Sequence, residues 1–151
     1  MEAVILECGD FPKKEYPREL LRRADVIICC DRALDTFLRH RDKIFKDLRD
    51  PDAIIGDMDS ISPKHLKEYS RIAIREEEQE TNDQTKAFRY LLEHWPEVKT
   101  VHILGATGKR EAHTLGNLGQ IMEYARLYGA SGNPDEDRIY VDAVSDYSTA
   151  F

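Results

Sequence analysis

The chain has 151 residues, of which 41% are hydrophobic and 34% charged, and its formal net charge is −7. This length suits one globular domain with a substantial core, and the composition excludes a disordered or membrane-embedded protein. The acidic balance argues against general nucleic-acid binding, because such binding needs basic residues that neutralise phosphates.

Short apolar runs alternate with longer amphipathic segments along almost the whole chain, which predicts βαβ units around a mainly parallel sheet. The runs predict strands near 2–8, 25–30, 52–56, 71–74, 99–104 and 138–144. The segments between them predict helices near 17–23, 32–41, 62–69, 81–95 and 111–128. The expected fold is a three-layer, Rossmann-like α/β domain with about six strands that covers residues 1–151 as a single domain.

Three features concern the compartment of the protein. Met1 is followed at once by Glu2 and a strand-like stretch, so no signal peptide is expected. The apolar runs are far too short to span a bilayer. Cys8, Cys29 and Cys30 lie in apolar segments without C-x-x-C spacing, which predicts buried thiols under reducing conditions. We therefore expect a cytoplasmic protein without a membrane partner.

Polar residues stand where the predicted strands end, including Asp31 after the second strand and the run Gly56-Asp57-Met58-Asp59 after the third. The carboxyl ends of parallel strands share one edge of a sheet, where ligands bind at the switch point of strand order. Two carboxylates at i and i+2 on such an edge repel each other unless a cation lies between them, usually Mg²⁺ with a polyphosphate. The alternative is an ordinary capped turn, since Asp, Gly and Ser are common turn residues.

The segment from Thr81 to Lys86 stands at the predicted start of a helix. Thr81 and Gln84 have the spacing of a capping box, and Asp83 in the first turn would complement the helix dipole. The capping interpretation does not explain Lys86. A lysine one turn beyond Asp83 can pair with it or point at a phosphate.

The segment Gly105-Ala106-Thr107-Gly108-Lys109-Arg110 is not a Walker A loop, since only two residues separate its glycines and no Ser or Thr follows the lysine. It is still a strand, a glycine turn, two cations and a helix start, which suits phosphate binding. The alternative is a solvent-exposed basic turn. His113, on the next predicted helix, is either a ligand contact or a polar residue of the first turn.

Taken in chain order, these segments resemble the catalytic domain of thiamine pyrophosphokinases, and the bacterial members most closely. The resemblance covers nearly the whole chain and rests on several short motifs in the right order. They are Gly9-Asp10, Cys30-Asp31, residues 51–60, residues 79–87, residues 105–110 and residues 113–117.

The resemblance implies an enzyme that transfers a pyrophosphoryl group from ATP to the hydroxyethyl oxygen of thiamine, with Mg²⁺ on the phosphates. It implies that Asp57 and Asp59 hold Mg²⁺, and that Asp83 binds the metal or orients the attacking hydroxyl. A homodimer is the family expectation. The remaining residues that it places at the ATP and phosphate site are Asp31, Lys86, Gly105, Thr107, Lys109, Arg110 and His113.

The sequence departs from the family pattern in three places. Ala112 stands where family members usually carry an aspartate, and Arg32 stands where they tend to have glycine. The sequence ends at Phe151, about where the family continues into a β-sandwich domain that helps to bind thiamine and to build the dimer, so that domain is expected to be absent. These departures keep open the alternative of a non-catalytic nucleotide-binding or assembly module of the same fold.

Overall fold

The computed structural model of the chain describes residues 1–75, 83–106, 139–146 and 149–150. Its strands are Glu2–Leu6 (β1), Val26–Cys30 (β2), Ala53–Gly56 (β3), Ala73–Arg75 (β4), Thr100–Leu104 (β5), Tyr140–Val144 (β6) and Thr149–Ala150 (β7). Its helices are Glu15–Arg23 (α1), Ala33–Ile44 (α2), Pro63–Glu68 (α3) and Asp83–His94 (α4), and a short 3-10 turn covers Ser70–Ile72. The predicted helix near 111–128 lies outside the described residues.

The strands form one sheet in the order β4-β3-β2-β1-β5-β6-β7. The first six are parallel, which confirms the α/β fold predicted from the sequence, while β7 runs antiparallel to β6 and was not predicted. Successive strands from β1 to β4 add on one side of β1, and β5 adds on its other side. The strand order therefore reverses between β1 and β5, which makes this the switch point of the sheet.

Alternate side chains along each strand enter two separate cores. Val4, Ile27 and Ile54 pack with apolar side chains of α1 and α2 on one face. Ile5 and Ile28 pack with α4 on the other face. Both faces of the sheet are thus covered, which explains why the strands read as continuous apolar runs rather than as alternating ones. Full burial of one such Ile or Leu contributes about 1.5–3 kcal/mol.

The start of α3 shows how the chain satisfies exposed helix ends. Pro63 occupies the first helical position after Ser62, as the sequence predicts. The Ser62 side chain makes no capping bond; instead its backbone N–H donates to a carboxylate oxygen of Asp35 on α2 at 3.1 Å. The other Asp35 oxygen contacts Nδ1 of His65. A remote carboxylate therefore takes over the capping role at this helix.

In the part of the chain that the structure describes, no helix is both long and apolar enough to cross a membrane. The three cysteines are thiols: Cys29 and Cys30 on β2 are buried, and Cys8 is half-buried.

Candidate active site at the carboxyl edge of the sheet

The turn after β3 is built around the carboxylate of Asp31, which follows β2. Gly56 has φ 150°, and a Cβ added there would lie 2.0 Å from Oδ1 of Asp31. The same oxygen accepts a buried hydrogen bond of 3.1 Å from the backbone N–H of Met58. Glycine is therefore required at position 56, because the Asp31 carboxylate occupies the space that any side chain would fill.

Met58 anchors this turn from the other side. Its backbone is left-handed, with φ 72°, and its side chain is buried in the core that packs against α1 and α2. Asp57 and Asp59, on either side of it, are exposed. Oδ1 of Asp57 accepts a hydrogen bond of 3.0 Å from the backbone N–H of Asp59. The buried Met58 thus holds both flanking carboxylates at the solvent side of the carboxyl edge.

These two carboxylates suit a hard cation, because Mg²⁺ takes oxygen ligands and is usually held by one or two carboxylates together with substrate phosphates. Among the described residues there is no group of three or more His, Cys, Asp or Glu side chains arranged to hold a metal ion. Asp83, the third carboxylate predicted for the site, begins α4, but its side chain lies outside the described part.

Lys86 lies one turn into α4 and is 8% exposed. With Arg89, Tyr90 and Glu93 it lines a cleft of about 150 Å³. The apolar residues of the same helix, including Phe88, face the sheet. The lysine therefore stands on the side of α4 away from the sheet, although its side chain is buried.

At the switch point, the first residues beyond β1 are tied to the end of β5. The backbone N–H of Glu7 donates to the carbonyl of Leu104 at 2.8 Å, and that of Gly9 donates to the carbonyl of Gly105 at 2.7 Å. Gly105 has φ 74°, and a Cβ there would lie 2.4 Å from the Glu7 carbonyl oxygen. This close approach of two backbones requires glycine at position 105, whether or not a ligand binds there.

Gln84, in the first turn of α4, contacts this junction of β1 and β5. Its Nε2 donates to Oε2 of Glu7 at 3.1 Å, while its Oε1 is buried and has no hydrogen-bond partner among the described residues. Thr81, the other residue of the predicted capping box, lies outside the described residues, so the contact that is seen for Gln84 is the one with Glu7. Sequence reasoning missed Glu7, because a single acidic residue after a strand carries no signal of a partner 77 residues away.

Two further residues of the carboxyl edge can be located. Asp146 follows β6, and its carboxylate accepts hydrogen bonds from the backbone N–H groups of Lys13 and Lys14 at 2.9–3.1 Å, just before α1 begins. This carboxylate therefore has a capping role. Arg32 is exposed immediately before α2. Thr107, Lys109, Arg110 and His113, predicted to contact ATP, lie outside the described residues, as does Ala112.

The architecture and this edge define the class of protein: a doubly wound α/β domain with an acidic turn beside a switch point, the place where such sheets bind their ligands. A family model described as "Thiamin pyrophosphokinase, catalytic domain" matches residues 17–128. The chain belongs to this family, which confirms the resemblance seen in the sequence. No curated protein sequence matches the chain significantly.

Solved structures support the fold. A thiamin pyrophosphokinase from Geobacillus thermodenitrificans is 18% identical with a TM-score of 0.67; the match covers 95% of this chain and 59% of that one. A family protein from Enterococcus faecalis is 22% identical with a TM-score of 0.67, over 97% and 62% of the two chains. The enzyme from Candida albicans is 20% identical with a TM-score of 0.61, over 95% and 58%. This chain thus spans about three-fifths of the length of these proteins.

Proposed function

We propose that the chain binds Mg²⁺ and ATP at the carboxyl edge of its sheet and transfers a pyrophosphoryl group from ATP to thiamine, yielding thiamine diphosphate and AMP. Membership of the family supports the reaction class. The observation that carries the proposal is the turn after β3, where Asp57 and Asp59 are exposed while the Asp31 carboxylate accepts a hydrogen bond from the backbone of the buried Met58 between them. The left-handed backbone of Met58 is energetically unfavourable for a residue other than glycine, and such strain is common at functional sites.

In this proposal Asp57 and Asp59 hold the metal. When bound, Mg²⁺ neutralises charge on the phosphates of ATP. Lys86 contacts a phosphate, and Asp83 binds the metal or orients the thiamine hydroxyl that attacks the β-phosphorus. Little covalent chemistry is required of the protein, so positioning and charge neutralisation provide most of the acceleration.

The remaining expectations from the family are also proposals. Thr107, Lys109, Arg110 and His113 contribute to phosphate binding, Asp31 lines the crevice, and the protein acts as a homodimer. Because the chain spans about three-fifths of the length of the solved relatives, thiamine-dependent turnover is tested apart from ATP binding.

A second candidate is a nucleotide-binding or assembly module of the same fold without turnover. The observation that favours it is Ala112, which stands where the family usually has an aspartate. Restoring the carboxylate by Ala112→Asp separates the two candidates: if this group is the missing catalytic piece, AMP formation rises by orders of magnitude.

The test combines calorimetry with an AMP-release assay containing ATP, Mg²⁺ and thiamine. Asp57→Asn and Asp59→Asn should each weaken Mg²⁺-dependent ATP binding by about 10- to 100-fold, because each removes one charged contact. Asp47→Asn is the matched control, since Asp47 is also exposed but lies between α2 and β3, at the amino edge. Absence of ATP binding by the folded wild-type protein would overturn the proposal, whereas ATP binding without thiamine-dependent AMP would favour the module.

A further inference from the structure

Gln84 is fully buried at the switch point, and only one end of its amide is satisfied. Its Nε2 donates to Oε2 of Glu7, whereas Oε1 has no partner in the described part of the chain. The orientation of the amide follows from the chemistry of its neighbour: an ionised carboxylate only accepts hydrogen bonds, so the amide N–H group must face it. Glu7 therefore determines the direction in which Oε1 of Gln84 points.

A buried acceptor that lacks a hydrogen bond destabilises the folded state, because it has lost its bonds to water. A leucine at position 84 would fill a similar volume without this cost, and the hydrogen bond to Glu7 accounts for the Nε2 end of the amide but not for Oε1. The residue lies next to Asp83 in the first turn of α4, at the edge of the sheet where β1 and β5 meet. Oε1 of Gln84 is thus a buried hydrogen-bond acceptor, and the described residues supply no donor for it.

We propose that Oε1 of Gln84 accepts a hydrogen bond from an N–H or O–H group of a bound substrate, and that Glu7 is the positioning residue that holds the amide in this orientation. The inference rests on the proposed function. An amide oxygen only accepts hydrogen bonds and cannot pair with an unprotonated phosphate oxygen, so it recognises an N–H or O–H group elsewhere in the ligand. Amino groups of adenine and of the thiamine pyrimidine, and the ribose hydroxyls, all have this chemistry.

The pair therefore separates two ends of the site. The exposed carboxylates of Asp57 and Asp59 after β3 serve the metal and the phosphates, and the pair after β1 serves the heterocycle or sugar. Such a division would let the domain select its substrate by a hydrogen bond rather than by charge alone, because a buried polar group left unpaired penalises a ligand that lacks the donor.

The experiment measures Kd by calorimetry for Mg²⁺-ATP, for thiamine and for the Mg²⁺ complex of purine riboside triphosphate, which lacks the 6-amino group of ATP. Gln84→Leu should weaken binding of any ligand that donates to Oε1 by about 3- to 10-fold, as expected for one neutral hydrogen bond. Binding of a ligand without that donor should be unchanged. Glu7→Gln should give a smaller loss for the same ligand, because a neutral amide no longer fixes the orientation of Gln84. Unfolding in urea checks that Gln84→Leu and Glu7→Gln remain folded, so that a change in Kd reports on the hydrogen bond to the ligand.

The ligands distinguish the sources of the donor. If ATP is weakened but the purine analogue binds the wild type and Gln84→Leu equally, the donor is the amino group of adenine; if both nucleotides are weakened, it is a ribose hydroxyl. A loss of affinity that is confined to thiamine shows that the donor belongs to thiamine. Unchanged Kd values for all three ligands in Gln84→Leu, with a wild type that binds them, overturn this inference and leave the proposed function standing. A wild type that binds none of them overturns both.

Discussion

Asp31 and Met58, 27 residues apart, are joined by a buried hydrogen bond in which the Asp31 carboxylate accepts from the Met58 backbone N–H at 3.1 Å. This bond connects the end of β2 to the acidic turn after β3. It gives Asp31 a role in building the turn, in addition to the crevice role that family resemblance implies for it.

We expect Asp31→Ala to lower the free energy of unfolding by about 1–3 kcal/mol, because it leaves the Met58 N–H buried without an acceptor. Asp31→Asn keeps an acceptor oxygen and should cost less. Asp59→Ala, on the same turn but exposed, is the control and should change stability by no more than about 0.5 kcal/mol. Urea unfolding monitored by circular dichroism checks all three, and equal losses for Asp31→Ala and Asp59→Ala would contradict the assignment.

Gly56 and Asp31 should show strong energetic coupling. Gly56→Ala places a Cβ 2.0 Å from Oδ1 of Asp31 and also forces a side chain onto a backbone with φ 150°, so we expect a large loss of stability. In the double variant Asp31→Ala with Gly56→Ala, the steric conflict disappears while the backbone strain remains. The double variant should therefore be less destabilised than the sum of the two single variants, and strict additivity in urea unfolding would argue against close contact between the two residues.

Local patterns in the sequence were enough to predict the six parallel strands and the common edge at which Asp31 and Asp57 lie, because apolar runs and the βαβ rule carry that information. Contacts between distant residues could not be predicted. The amide of Gln84 pairs with Glu7, 77 residues away, and Asp146 caps α1 from 132 residues away. Periodicity describes a residue's own element; the partner across the sheet depends on strand order, which no local pattern encodes.

A second buried pair, His102 on β5 and Asp142 on β6, is predicted to act as a structural unit. The two residues are register partners, and Nδ1 of His102 lies 2.6 Å from Oδ1 of Asp142. We expect Asp142→Val alone to cost at least about 2 kcal/mol, because the imidazole is left buried without its partner. The double variant His102→Val with Asp142→Val should recover most of that loss, since an apolar β-branched pair suits a buried strand.

Urea midpoints of the two single variants and the double variant measure this coupling. Thr100→Val, also on β5 but half-buried at its first residue, provides a control for the effect of a β-branched apolar substitution on the strand. A double variant less stable than either single variant would show that the pair does not act as a unit.

The thiols should differ in reactivity. Burial, and secondarily the charge of Asp52, raises the pKa of the Cys29 thiol well above its ordinary value, so little thiolate forms at pH 8. Cys30 is buried as well, whereas Cys8 is half-buried. We expect the folded Cys8→Ser variant to react with Ellman's reagent only slowly, and to release two equivalents rapidly once denatured. Fast labelling of this variant in native buffer would contradict the buried placement of β2.

The stability of the protein should decrease on mild acidification because of His40. Its ring stacks on Phe11, with centroids 4.6 Å apart, and its buried Nδ1 has no hydrogen-bond partner within the described ranges. Burial first, and then the positive charge of Lys43, lower the pKa of His40 below its ordinary value of 6.5. The unfolded chain therefore binds more protons than the folded one between the two pKa values, and unfolding is favoured as pH falls through this window.

The His40 contribution is fully present above pH 6.5 and is lost as the pH falls through the lower folded value. His40→Phe keeps the stacking on Phe11 and removes the titrating group, so its unfolding free energy should depend less on pH between about 7 and 5 than that of the wild type. His94→Phe is the matched control, because His94 is also stacked, on Tyr90, but is exposed to solvent. Urea unfolding at a series of pH values measures the slopes, and an identical slope for the wild type and His40→Phe would show that other groups cause the acid sensitivity.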